Sequence, residues 1–191
     1  MSEIQYIISD LDGTLADTFE ANYQAYKSVF GKYGFELTRE SYRRCYGFKL
    51  DDLCRNLGFS FDTDLLEKIK EQKAACYPEF FSFLRPNMVL INFYRAFRQQ
   101  GGHLALATTA SRKNVLNILD YLQLGSLFDF IIVGEEVKRG KPDPECFLLA
   151  LHRWGIGPEK VLVFEDSEIG IKAAEQAGLK VLGIRNGFYE T

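Results

Sequence analysis

The chain opens on a short apolar stretch, Ile4 to Ile8 broken only by Gln5, which stops at Ser9-Asp10-Leu11-Asp12-Gly13-Thr14. β-Branched and aromatic residues running into a glycine-containing turn read as a buried strand over Ile4–Asp10. The period then changes. Phe19, Tyr23, Tyr26, Phe30 and Tyr33 recur at helical spacing behind Asp17 and Glu20, which have the spacing of a capping box, and Gly34 closes this first helix. Thr38 opens a second helix that ends near Gly47. Asp51–Leu57 reads as a third, closed by Gly58, and Thr63–Phe83 as a longer fourth with Leu65, Leu66, Ile69, Tyr77, Phe80 and Phe81 apolar. Residues 17–84 are therefore expected to be almost wholly helical.

After Pro86 the pattern alternates. A helix over Asn87–Gln100 is stopped by Gly101-Gly102, and His103–Thr108 follows as a strand. Next come a helix over Lys113–Leu122 capped by Ser111, a strand over Phe130–Val133, and a helix begun by Asp143-Pro144 with Phe147, Leu148 and Leu151 inward. Val161–Phe164 is a strand, Glu168–Gln176 a helix closed by Gly178, and Val181–Ile184 a last strand. Strands alternating with helices imply βαβ units and a parallel sheet, whose right-handed crossovers put every strand's carboxyl end on one edge. The fold class expected is α/β: a Rossmann-like parallel sheet core with helices on both faces, formed by residues 1–16 and 85–191, with an inserted α-helical cap over 17–84. Ala16 and Arg85 are the expected hinges. No repeat or low-complexity segment interrupts the pattern.

With 191 residues the chain can build one core, or a core with a small second domain. A net charge of −3 and a pI near 5.5 give no electrostatic footprint for nucleic acid or an anionic membrane. No apolar run approaches the roughly 20 residues of a membrane span. Met1-Ser2-Glu3 lacks the basic-then-apolar pattern of a secretory leader, so a cytoplasmic protein is expected. Cys45, Cys54, Cys76 and Cys146 are scattered without a C-x-x-C pair and read as reduced thiols. His103 and His152 are too few for a histidine-built zinc site and argue against a Ser-His-Asp triad.

The chemistry collects at the strand ends. Asp10 and Asp12, two residues apart at the end of the first strand, can point into the crevice where open α/β sheets bind ligands. Close carboxylates repel, and a hard divalent cation such as Mg²⁺ is the natural counter-charge. Taken alone, the stretch reads equally as a strand followed by an Asp-Gly turn. The second strand delivers Thr108 with Thr109 beside it, leaving room for a one-residue shift between them; a strand-end threonine also commonly satisfies a backbone group. Val161–Phe164 delivers Glu165 and Asp166. The basic loop after Phe130–Val133 carries Lys141, where a lysine is ordinarily a solvated charge, and Lys138 and Arg139, read as exposed. Asp143 reads as a helix cap, and Ser167 as a cap for the helix at Glu168 or a donor to a carboxylate. Carboxylates, a hydroxyl and a lysine meeting in one crevice suit phosphoryl transfer, where positioning and charge neutralisation supply most of the catalysis.

Asp10-Leu11-Asp12-Gly13-Thr14, Thr108 after an apolar strand, Gly140-Lys141-Pro142-Asp143-Pro144 and Glu165-Asp166-Ser167 stand in this order over nearly the whole chain. In these motifs the sequence resembles the haloacid dehalogenase-like phosphohydrolases, in the phosphoglycolate phosphatase and β-phosphoglucomutase branch with a helical cap after the first strand. The resemblance implies Asp10 as nucleophile forming an aspartyl-phosphate, and Asp12 as acid to the leaving oxygen and then base to water. It implies Thr108 as a donor to the phosphoryl oxygens, and Lys141 as the neutralising cation. Mg²⁺ is implied on the Asp10 carboxylate, the Asp12 backbone carbonyl and Asp166, with Glu165 orienting a metal-bound water; many members carry glycine at that position.

A cap in this family closes over the site and helps to select substrate. Asn22, Lys49 and Arg43 are the polar insert residues that could reach in, Lys49 towards a second anionic group, and Thr109 could touch substrate from the core. The expected partner is a small phosphorylated metabolite, with no nucleic acid and no membrane, for a monomer or homodimer. A mutase of the β-phosphoglucomutase type shares the motifs, but such relatives tend to carry a histidine where Asn22 stands, which favours hydrolysis. A binding module without catalysis is disfavoured by Asp10, Asp12, Lys141 and Asp166 occurring together. Many relatives also run on beyond the position of Thr191. The edge at Val181–Ile184, if uncovered, is a candidate pairing surface.

Overall fold

The computed structural model describes residues 3–185; the leader reading at Met1-Ser2 and the chain end at Thr191 lie outside the described residues. A five-stranded sheet forms the centre. β1 (Tyr6–Ser9) pairs in parallel with β4 (His103–Ala107) on one side and β6 (Val161–Glu165) on the other. β5 (Phe130–Ile132) extends the sheet beyond β4 and β7 (Lys180–Gly183) beyond β6, giving the order β5-β4-β1-β6-β7 with all pairings parallel. β7 is thus an edge strand among the described residues.

The two-residue period of the strands divides the apolar residues between the two faces. Ile7, Leu104, Leu106 and Phe164 join one cluster with Leu90, Ile91 and Tyr94 of α5 (Met88–Gln99) and with Val115, Ile118 and Leu119 of α6 (Arg112–Tyr121). Ile8, Ala107, Val161 and Val163 join the other with Phe147, Ala150 and Leu151 of α7 (Glu145–Trp154) and Ala173 and Ala174 of α8 (Glu168–Gln176). Ile7 and Ile8 are both fully enclosed, each contributing about 1.5–3 kcal/mol of burial free energy. Helices therefore cover both faces, as the near-continuous apolar strands require. Leu148, expected inward on α7, is 47% exposed. Cys146 takes the inward position instead, because the buried face runs Cys146, Phe147, Ala150, Leu151.

Between β1 and α5 the chain is helical: α1 (Phe19–Lys32), α2 (Arg39–Arg44), α3 (Leu50–Asn56) and α4 (Thr63–Cys76), then a 3-10 segment over Tyr77–Phe83. The single helix expected over Thr63–Phe83 is split. Pro78 has no N–H to continue the α ladder, so the chain tightens at Tyr77. The capping box expected at Asp17 and Glu20 does not form, and Thr18 is the N-cap. β2 (Ala16–Asp17) is drawn into a short antiparallel ladder with β3 (Arg85–Pro86), which delays the helix by one residue; Asp17 still accepts from the Phe19 N–H at 3.0 Å. The two chain crossings between sheet and insert are therefore hydrogen-bonded to each other. Within the insert, Phe30, Phe35, Phe59 and Phe61 pack edge-on or tilted with centroids 4.8–6.1 Å apart. No helix among the described residues is long and apolar enough to cross a membrane.

Candidate active site

The carboxyl edge of the sheet brings together residues far apart in the chain. Asp10 follows β1 and is 6% exposed, with its N–H donating to Phe164 O at 2.9 Å. The turn after it needs Gly13, whose φ of 97° favours glycine, and Gly13 N–H donates to Ala16 O at 2.8 Å. Thr14 then reaches back, its hydroxyl donating to Asp166 Oδ1 at 3.0 Å. Asn87 locks the turn onto α5: its amide donates to Thr14 O at 3.2 Å while its own oxygen caps the helix at the Leu90 N–H.

Lys141 is the hub. Its ammonium is buried and lies 2.6 Å from Asp10 Oδ1, 2.6 Å from Glu165 Oε2 and 3.2 Å from Ala107 O. Burial alone would push its pKa down; the Asp10 and Glu165 carboxylates outweigh burial and hold it above the usual lysine range. Burial, then Glu165, push Asp10 well above the usual carboxylate range, with Lys141 opposing. Asp166 is raised to about 6, first by burial and then by Glu165, against the Thr14 hydrogen bond. Carboxylate oxygens of Asp10, Glu165 and Asp166 lie within 4.8 Å of one another. Three carboxylates around a single ammonium leave an excess of negative charge on hard oxygen donors, an arrangement that fits a divalent cation.

Glu165 is held from all sides. Its Oε1 accepts from Asp166 N at 3.2 Å, Ser167 N at 3.1 Å and Ser167 Oγ at 2.8 Å, leaving Oε2 for Lys141. Ser167 takes both of the roles its sequence left open, since its oxygen also caps α8 at the Gly170 N–H, 3.1 Å away. A Cβ at Gly170 would collide with the Glu165 carboxylate. Asp143 accepts from Glu145 N at 3.1 Å but is not the cap expected of it, since Pro144 takes the N-cap position and Asp143 stands one residue ahead; Lys138 and Arg139 are exposed.

Asp12 turns the other way, towards the insert. Its Oδ1 accepts from the Thr18 hydroxyl and, at 3.2 Å, from the Asn22 amide, while Oδ2 faces Thr108 Oγ1 at 3.4 Å. Asn22 is held in turn by Lys73, whose ammonium donates to Asn22 Oδ1 at 2.6 Å. Lys73 is 2% exposed, sits 3.4 Å from the Tyr77 ring centroid and 5.2 Å from that of Tyr26, and is pushed by burial down to about 7, against the pull of Asp12.

Above Asp12 an open cleft with an inner volume of about 180 Å³ runs between insert and sheet edge. Asn22, Lys49, Lys73 and Thr109 line it, and so does Asn114, whose buried Oδ1 has no hydrogen-bond partner among the described residues. Arg43 lies elsewhere, exposed, with its guanidinium over the Phe19 ring at 5.4 Å. Thr109 and Lys49 line the cleft with polar atoms already engaged: Thr109 Oγ1 donates to Gly47 O and Lys49 Nζ to Val137 O, both at 2.8 Å. Sequence reasoning missed Thr14, Thr18 and Lys73. For Lys73 a signal was present, because it continues the Ile69–Tyr77 row at four-residue steps, and a lysine on a buried row requires a polar partner.

A parallel α/β sheet with a lysine-bridged carboxylate cluster at its carboxyl edge has the make-up of an enzyme site, placed where open α/β sheets bind ligands. A family model of haloacid dehalogenase-like hydrolases matches residues 7–184, and the chain belongs to that family. It is 35% identical over 182 residues to the phosphorylated carbohydrates phosphatase of Thermotoga maritima, covering 93% of this chain and 83% of that one. To the β-phosphoglucomutase of Bacillus subtilis it is 25% identical over 188 residues, covering 95% and 83%. Among solved structures, CbbY from Rhodobacter sphaeroides in complex with phosphate matches with a TM-score of 0.83 at 28% identity, covering 98% of this chain and 90% of that one. Haloacid dehalogenase-like hydrolases generally use a divalent metal, in keeping with the buried acidic cluster.

Proposed function

We propose that this hydrolase is a Mg²⁺-dependent phosphatase of small phosphate monoesters, of the sugar phosphate or phosphoglycolate type, working through an aspartyl-phosphate on Asp10. The observation that carries the reading is the Asp10–Lys141–Glu165 cluster, with both Lys141 contacts at 2.6 Å. A carboxylate so placed shares the Lys141 ammonium with Glu165 and keeps one oxygen to attack phosphorus. In the first step Asp10 forms the new P–O bond as the bond to the leaving alcohol breaks, and Asp12 gives that alcohol its proton. In the second, water attacks the phosphoryl group, Asp12 takes the water's proton, and Asp10 leaves as a carboxylate. Thr108 donates to the phosphoryl oxygens and Lys141 neutralises their charge. Asp10, Asp166 and the Asp12 backbone carbonyl would hold Mg²⁺, which would supply charge neutralisation at the phosphoryl oxygens.

Residues 17–84 act in this reading as a cap over a core of 1–16 and 85–191, with the paired segments at Ala16–Asp17 and Arg85–Pro86 as its hinge. Asn22 and Thr18 hold Asp12 from the cap side, so closure presents Asp12 to the leaving oxygen. Glu165 braces Lys141 through Oε2 and, in this reading, also orients a metal-bound water beside Asp10 and Asp166. The likeness to a phosphatase of phosphorylated carbohydrates supports the sugar phosphate side of the proposal. Phosphate release from phosphoglycolate, hexose phosphates and nucleoside monophosphates with added Mg²⁺ tests it, and a marked preference for one small ester is expected. Interconversion of β-glucose 1-phosphate without net phosphate release would assign a mutase instead, and silence on every ester would overturn the reading.

A further inference from the structure

Two hydrogen bonds join the insert to the core loops that carry Thr108 and Lys141, and both come from the stretch Gly47–Lys49. Gly47 O accepts from Thr109, the residue after Thr108, at 2.8 Å. Lys49 Nζ donates at 2.8 Å to Val137 O, at the start of the loop that ends in Lys141. The Lys49 side chain also lies along that loop, since a Cβ at Gly140 would stand 3.4 Å from its Cγ and Cδ. Gly140 directly precedes Lys141. One segment of the insert thus grips both loops, by a hydrogen bond one residue from Thr108 and by one four residues from Lys141, with the Lys49 methylenes beside Gly140. Main-chain carbonyls are the acceptors in both bonds, so neither depends on a bound ligand.

We infer that Lys49 and Thr109 are positioning residues that clasp the insert shut and, in closing, set the loops bearing Thr108 and Lys141. The roles of those two residues rest on the phosphatase reading; the clasp does not. The half-buried neutral bond from Thr109 is worth about a three- to tenfold change in equilibrium, and the charge-assisted bond from the Lys49 ammonium about tenfold or more, enough to bias a lid.

The test pairs variants that remove the donor with variants that keep one. Lys49→Met retains the methylenes against Gly140 and loses the ammonium; Thr109→Val retains the shape and loses the hydroxyl. Lys49→Arg and Thr109→Ser keep a donor. kcat and KM are measured on phosphoglycolate and glucose 6-phosphate, which differ at the end away from the phosphate, and amide exchange is followed over residues 108–110 and 137–141 in the ligand-free protein. Thr109→Val should lower kcat/KM about three- to tenfold and Lys49→Met about tenfold or more, each by the same factor on both esters. They should also quicken exchange in the core loop that each contacts, and Lys49→Arg and Thr109→Ser should restore both readouts. A loss confined to one ester with exchange unchanged would make Lys49 a substrate contact and overturn the clasp. Should the wild type turn over no ester, exchange decides alone: quickened loops uphold the clasp while the phosphatase reading falls, and unchanged loops overturn the clasp.

Discussion

Lys73 is the residue whose burial costs the fold most visibly. Its ammonium is 2% exposed, with one hydrogen bond to Asn22 and the faces of Tyr77 and Tyr26 as its remaining company. Burial takes it from 10.5 to about 7. The folded chain therefore holds this proton more weakly than the unfolded chain, and unfolding takes a proton up at any pH between those values. Stability should consequently rise with pH from about 7 to about 10.5, and the full penalty, on the order of 4 to 5 kcal/mol, applies below pH 7. Lys73→Met removes the titration and keeps most of the packing. Urea unfolding of wild type and variant at pH 6 and pH 9 isolates the effect, because other titrating groups cancel in the difference. The stability of Lys73→Met relative to wild type should be greater at pH 6 than at pH 9 by about 2–3 kcal/mol. A difference between the proteins that is the same at both pH values would refute the reasoning. Turnover should fall in the variant even where stability rises, because Asn22 loses the group that orients it towards Asp12.

Other expectations follow from the same geometry. Asp10→Asn should abolish phosphate release, by at least about a thousandfold, while leaving the fold intact through the remaining Lys141–Glu165 pair; near-normal kcat would remove Asp10 as nucleophile. EDTA should silence the enzyme and Mg²⁺ restore it, and turnover that persists in chelator would refute a metal among Asp10, Asp12 and Asp166. Gly170→Ala pushes a methyl into the Glu165 carboxylate, so denaturant unfolding should show a loss of about 1–3 kcal/mol with activity falling alongside; unchanged stability would mean that Glu165 moves freely.

Much of the fold was legible because period and punctuation agree. Alternating strands and helices gave the parallel sheet and the helical insert, and α8 runs over Glu168–Gln176 as its pattern implies. The misreadings have local causes. A capping box at Asp17 and Glu20 lost to a pairing with Arg85 that lies far off in sequence, and the fourth helix was read through Pro78, the residue that ends it. The site was legible where a residue stands at a strand end: Asp10 and Glu165 meet at Lys141, and Thr108 faces Asp12, because parallel strands share one carboxyl edge. Lys141 needed the motif around it, as a basic loop alone gives no reason to expect a buried ammonium. Thr18 and Lys73 act through contacts between insert and turn that no spacing encodes. Lys49 and Thr109 were placed in the cleft by sequence, but which atoms they engage depends on how the insert folds over the core.

The central claim is that the phosphoryl group passes through Asp10. Rapid quenching of the enzyme during turnover of a small phosphate ester with Mg²⁺, followed by peptide mapping, tests it directly. A transient phosphoryl adduct on Asp10, formed as fast as phosphate is released and absent in Asp10→Asn, is the expected result. Sustained phosphate release with no adduct on Asp10, or with the adduct on another residue, would contradict it.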